Sequence, residues 1–210
     1  AELVRRNFEF RATDIDPLGE RPVALDLLSL ARALSHLGDR AAWLSVLRAP
    51  WCGLTLTELH ELVADAPDRT VADLLREGRW REVLGPDPAA RLLRTWQGLE
   101  QALAELRLLG VRDTVERLWH ALGGPATLVD TRSLEESEAF FEVLADAERR
   151  DGPALDLAAL AQALERLYAP TLPDPKVRIE LSTIHKAKGL QYDTVIVPGM
   201  ERLPRDDERR

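Results

Sequence analysis

Ala169-Pro170-Thr171-Leu172-Pro173-Asp174-Pro175-Lys176-Val177-Arg178-Ile179-Glu180-Leu181 separates two kinds of structure in this chain. Proline lacks a backbone N–H and fixes φ, so three prolines within six residues exclude both a helix and an interior strand. The stretch therefore predicts a domain crossing. Behind it, from Thr55 to about Leu167, apolar residues recur at helical spacing. Ahead of it the pattern changes to a strand over Val177 to Leu181, a turn containing Lys188-Gly189, and a second strand over Asp193 to Val197. Thr194-Val195-Ile196-Val197 is a β-branched run of the sort buried on both faces of a parallel sheet.

Working back towards the start, Phe8, Phe10, Ala12 and Ile15 alternate as a strand would, and Asp16-Pro17-Leu18-Gly19 stops them with a turn. From Pro22 the period becomes helical: Leu27, Leu30, Ala31, Leu34 and Leu37 share a face, with Gly38 as the stop. Asp39 is placed to cap a second helix that buries Trp43, Val46 and Leu47 before Pro50 ends it. Thr57 and Thr70 are read as caps of the next two helices. The longest helix runs from Pro88 to Leu109 and ends at Gly110. Helices from Val111 to Leu122, Ser133 to Arg150 and Leu155 to Tyr168 follow, with Ser133 and Glu136 at capping-box spacing. The expected fold class is α/β with a large all-α insertion, its three strands in one sheet and the helical block projecting from it.

The chain has 210 residues, 45% hydrophobic and 30% charged, enough for one domain with a core or one domain plus part of another. No apolar run approaches the roughly 20 residues that cross a bilayer, and Ala1 to Phe10 lacks the apolar core of a secretory signal. A cytoplasmic protein with no membrane partner is expected. Cys52 is the only cysteine, and His36, His60, His120 and His185 are scattered, so no disulfide and no metal site are expected. A net charge of −8 has the wrong sign for a surface that grips nucleic acid everywhere, so any such contact must be local. Lys176, Arg178, Lys186 and Lys188, against the single carboxylate of Glu180, form one local basic stretch.

That stretch lies in Ile179-Glu180-Leu181-Ser182-Thr183-Ile184-His185-Lys186-Ala187-Lys188-Gly189-Leu190-Gln191-Tyr192. A strand ending at Ser182-Thr183 delivers two hydroxyls, an imidazole and two ammonium groups into a turn with a glycine. Hydroxyls donate without bulk, lysine supplies charge, and glycine lets a backbone N–H approach an anion. The order of these residues resembles motif V of superfamily 1 helicases of the UvrD, Rep and RecB/AddA families, Thr-x-His-x-x-Lys-Gly-Leu-Glu followed by an aromatic residue and a strand. Thr183, His185, Lys188, Gly189 and Leu190 match it, and Tyr192 fills the aromatic place.

The resemblance implies that the α/β ends are part of a second RecA-like motor lobe, an incomplete P-loop NTPase-like lobe, and that the helices are the inserted subdomain 2B. Residues 1–49 and 171–210 would belong to the lobe (2A) and residues 50–170 to 2B. It further implies DNA contacts from Thr183, His185 and Lys186, and nucleotide contacts from Lys188, Gly189 and Gln191. Position 191 departs from the family: the amide of Gln191 keeps one acceptor oxygen and loses the charge of glutamate. A weaker resemblance covers roughly residues 1–60, where Ala49-Pro50-Trp51-Cys52-Gly53-Leu54 stands at the place of a Pro-x-x-Gly-Ile-Gly segment. Only Pro50 and Gly53 match, so a Trp51-anchored junction is expected there instead of a duplex contact. Of the other tryptophans, Trp43 and Trp96 lie on apolar helix faces, and Trp80, between Arg79 and Arg81, is the candidate base-stacking platform.

No Gly-x-x-x-x-Gly-Lys-Ser/Thr is present, so nothing here holds β- and γ-phosphates or places Mg²⁺. The expectation is a fragment of an ATP-dependent DNA helicase for repair or recombination, without catalytic residues or a bound cofactor of its own. By resemblance the whole protein would use ATP and Mg²⁺, meet single-stranded and duplex DNA, and could join other subunits of a helicase–nuclease complex. The competing expectations are a helical protein-interaction module and an inactive motor lobe that does not bind DNA.

Overall fold

The computed structural model describes residue 6 and residues 10–12, 17–152, 155–168, 179–182, 184 and 187–198. The strand β1 (Phe10–Ala12) pairs in parallel with β2 (Ile179–Leu181), Phe10 opposite Ile179 and Ala12 opposite Leu181. Both lie inside stretches read as strands. Parallel neighbours need a crossover connection, and here the whole helical block is that crossover. The two passages into and out of the block also touch: Pro17 and Tyr168 form an antiparallel bridge, and the Leu18 N–H donates to the Leu167 carbonyl at 2.6 Å. Gly19 lies against this joint, where a Cβ would stand 3.1 Å from the Glu165 nitrogen.

The expected second strand over Asp193 to Val197 is not formed. Residues 194–197 have no strand assignment, and Val195 and Ile196 are 68% and 83% exposed. A β-branched run favours a strand, but the ladder requires a neighbour, and among the described residues the sheet consists of β1 and β2 alone.

The helices follow the apolar spacing closely. Helix α1 (Pro22–Ser35) buries Leu27, Leu30, Ala31 and Leu34, and α2 (Arg40–Arg48) buries Trp43, Val46 and Leu47. The Asp39 carboxylate caps α2 by accepting from the Ala42 N–H at 3.0 Å. Helix α3 (Leu56–Val63) is capped by Thr55, not Thr57. The Thr55 hydroxyl accepts from the Glu58 N–H, and the Glu58 carboxylate accepts from the Thr55 N–H at 2.7 Å, a reciprocal pair that Thr57 lacks the spacing to make. Thr70 caps α4 (Val71–Glu77) as expected, and a single turn, α5 (Trp80–Val83), follows.

Helix α6 (Pro86–Ala121) is interrupted at Gly110, whose φ of 81° and ψ of 174° turn the chain into a second arm. The expected stop at Gly110 is therefore a corner. Helix α7 (Thr131–Asp151) is capped by Asp130, whose carboxylate accepts from the Ser133 N–H at 2.8 Å. The predicted Ser133–Glu136 box does not form, because Glu136 is buried and paired elsewhere. Helix α8 (Leu157–Arg166) starts at Asp156, which accepts from the Ala158 and Ala159 N–H groups.

One core runs through these helices from Leu18 to Leu164. It does not break at position 50. Trp43 on α2 packs against Trp96 on α6 with ring centroids 6.5 Å apart. The Arg40 guanidinium donates to the carbonyls of Val63, Ala66 and Arg69 at 2.9, 3.3 and 2.7 Å, closing the C-terminal end of α3. Among the described residues no helix is long and apolar enough to cross a membrane.

Candidate functional site

The motif begins where β2 ends. Ser182 is half-buried, Ile184 is exposed, and the chain then turns through residues 187–189. The Leu190 N–H donates to the Ala187 carbonyl at 3.1 Å and closes that turn. Gly189 adopts φ 90°, a region that disfavours any side chain, and among the described residues nothing lies within 4 Å of the place where a Cβ would be. Glycine is thus required at position 189 by the backbone, and the space over it is what close approach of an anion needs.

Lys188 and Gly189 lie in this exposed turn, and Gln191, also exposed, follows it two residues on. Thr183, His185 and Lys186 lie outside the described residues, as does the proline-rich crossing from Ala169 to Pro175. The chemistry on view is that of an open wall. An ammonium at Lys188, a backbone N–H at Gly189 and an amide at Gln191 can meet a phosphate edge or a ribose, and they enclose nothing. Among the described residues no group of three or more His, Cys, Asp or Glu side chains converges as metal ligands would.

Trp80 requires a correction. It is 2% exposed, its indole N–H donates to the Leu75 carbonyl at 3.1 Å, and the Arg81 guanidinium covers its ring with the carbon 4.2 Å from the centroid. The one-turn helix α5 points this ring inward while Arg79 and Arg81 face outward, so no base can stack on it. Trp43, Trp96 and Trp119 are likewise core residues.

The segment from Ala49 to Thr55 is closed upon itself. Cys52 and Gly53 donate to the Ala49 carbonyl, Leu54 donates to Leu47, and Thr55 donates to Glu58, which leaves none of these amides for a phosphate. The carbonyls of Cys52 and Gly53 accept from Arg91 on α6. Trp51 packs against the core and donates its indole N–H to Val46 at 3.1 Å. Cys52 is buried, which pushes its thiol pKa up and keeps it protonated.

A cleft of about 450 Å³ lies between the two arms of α6, lined by Gly98, Gln101, Glu105, Arg117 and His120 among others. It belongs to the helical block, and no motif residue lines it.

Residues 94–206 match the family described as the UvrD-like helicase C-terminal domain. Over 114 residues the chain is 32% identical to the ATP-dependent DNA helicase UvrD2 of Mycobacterium bovis, and equally to that of Mycobacterium tuberculosis. The similarity covers 50% of this chain and 16% of each relative, so the chain spans about a sixth of their length.

Proposed function

The chain belongs to the UvrD-like helicase C-terminal domain family, and from that premise we propose that it supplies part of the second motor lobe of an ATP-dependent DNA helicase together with the helical block inserted into that lobe. In this reading residues 1–49 and 171–210 are pieces of the RecA-like lobe and residues 50–170 are subdomain 2B. The parallel pairing of β1 with β2, on either side of the helices, is the observation that carries it. Helices α1 and α2 then form the seat of the block, in keeping with the packing of Trp43 on Trp96.

The motif works as a link between two ligands. Thr183, His185 and Lys186, next to the end of β2, meet single-stranded DNA through hydroxyl, imidazole and ammonium groups suited to the phosphate backbone. Lys188, Gly189 and Gln191 form one wall of the nucleotide cleft: charge from Lys188, close backbone approach at Gly189, and a single acceptor oxygen from Gln191 for a ribose hydroxyl. ATP with Mg²⁺ supplies the free energy of hydrolysis when bound, and its β- and γ-phosphates are held by groups other than these. Because the two sets are adjacent in the sequence, closing the cleft changes the grip on the strand, and the strand biases closure in return. Such a motor acts on DNA in the cytoplasm during repair or recombination, alone or within a helicase–nuclease complex.

The test is the ATPase rate of the whole protein measured against single-stranded DNA concentration. His185→Ala is expected to weaken apparent DNA affinity by about 1 to 3 kcal/mol while leaving basal ATP affinity intact. Gln191→Glu is expected to tighten ATP modestly with no direct effect on DNA. Unchanged DNA stimulation in His185→Ala removes the DNA assignment. Loss of ATP affinity in that variant reverses the two ends of the motif.

A further inference from the structure

Two carboxylates on α7, twelve residues apart, hold two separate parts of the molecule. Near its start Glu136 is 1% exposed and pairs with Arg21 at 2.7 Å and with Arg132 at 3.2 Å. Arg21 stands immediately after the Pro17–Leu18 joint and precedes α1, so Glu136 grips the place where the chain passes from the sheet into the helices. Near the end of α7, Glu148 accepts from the N–H groups of Val111 at 2.5 Å and Arg112 at 3.2 Å. These are the first two amides of the second arm of α6, which have no partner within their own helix. Glu148 therefore caps that arm from another helix and holds the corner at Gly110.

The corner admits no other residue in that conformation. Gly110 has a positive φ, and a Cβ on it would stand 2.5 Å from a Glu148 carboxylate oxygen. Between the two grips α7 is locked to the same arm by aromatic packing. Phe141 lies 5.7 Å from Trp119, and the Arg112 guanidinium lies over the Phe141 ring. A helix pinned at both ends and packed along its middle cannot shift at one end without shifting at the other.

We propose that α7 is a strut, about 18 Å between its two carboxylates at 1.5 Å per residue, which ties the sheet-to-helix joint at Arg21 to the corner of α6 at Gly110, so that a displacement at the joint changes the angle between the two arms. The cleft between those arms widens or narrows with it. The inference stands whether or not the motif meets nucleotide, since it uses none of the motif residues.

Amide hydrogen exchange of the 210-residue chain tests it. In Glu148→Gln the Val111 and Arg112 amides lose protection directly. The deciding variant is Glu136→Gln, remote from both amides. Its expected result is a fall in protection at Val111 and Arg112 at least about ten-fold greater than at Leu59 and Leu74, whose amides bond to the carbonyls of the caps Thr55 and Thr70. If Glu136→Gln fails to fold, Arg132→Gln, which weakens the same cluster from its exposed side, is measured in the same way. A fall that is uniform across all four amides means that the cluster stabilises the block as a whole, and unchanged protection at Val111 and Arg112 means that the two grips are independent. Either result overturns the strut.

Discussion

Replacing Trp80 with alanine separates a core residue from a base-stacking platform. The indole is 2% exposed and part of the core, so truncation removes a large apolar side chain and leaves a cavity. For buried tryptophan or phenylalanine that change costs about 3 to 5 kcal/mol. The Leu75 carbonyl, which accepts from the indole N–H at 3.1 Å, is left without that partner for about 1 kcal/mol more. The expected loss in urea unfolding is therefore about 4 to 6 kcal/mol, a large part of the stability of a domain this size. Trp80→Phe keeps an aromatic ring in the core and loses the N–H, so its expected loss is about 1 to 2 kcal/mol. Binding of a single-stranded oligonucleotide, corrected for the folded fraction, should not change in the phenylalanine variant. A stability loss below about 1 kcal/mol for Trp80→Ala, with reduced oligonucleotide binding in Trp80→Phe, would refute the burial argument.

Two further outcomes follow from single contacts. Burial pushes the Asp26 carboxyl up to about 6 from its ordinary value of 3.8, so its charged form is disfavoured in the folded chain. The folded state then holds the proton more tightly, and stability falls as pH rises from about 4 through 6. Asp26→Asn should recover roughly 1 to 2 kcal/mol at pH 7 and little at pH 4, after discounting for the part of the group that still meets water. An equal difference at both pH values would contradict it. Arg40→Met should cost about 2 to 4 kcal/mol in urea unfolding because three carbonyls around the end of α3 lose a charged donor, and Arg40→Lys should recover only part because an ammonium cannot span all three. Full recovery with lysine would show that charge alone matters there.

Much of the fold was legible because it depends on local chemistry. The positions of Leu27, Leu30, Ala31 and Leu34 fix the buried face of α1, Asp39 and Thr70 are caps by residue type, and Gly110 breaks its helix because its φ is positive. Thr55 was missed in favour of Thr57 even though Thr55 and Glu58 have the capping-box spacing; the signal was present and misread. Glu136 could not be read in this way, since its partner Arg21 is more than a hundred positions distant. Trp80 looked exposed between two arginines because the direction of a one-turn helix is set by packing, which no local pattern carries. The run from Thr194 to Val197 shows the limit of strand propensity, which states a preference and supplies no neighbour. At the candidate site, the turn at Lys188-Gly189 was legible from its glycine, which adopts φ 90°.

The contact between Leu18 and Leu167 has a bearing on the order in which the chain folds. Phe10 and Ile179 are nearly 170 positions apart, and closing a loop of that length directly is entropically unfavourable and slow. Once the helices have formed and Pro17 lies beside Tyr168, the unclosed chain between the strands shrinks to about 16 residues, which lowers the closure penalty by about 2 kcal/mol. The helical block is thus the template and the sheet its late product.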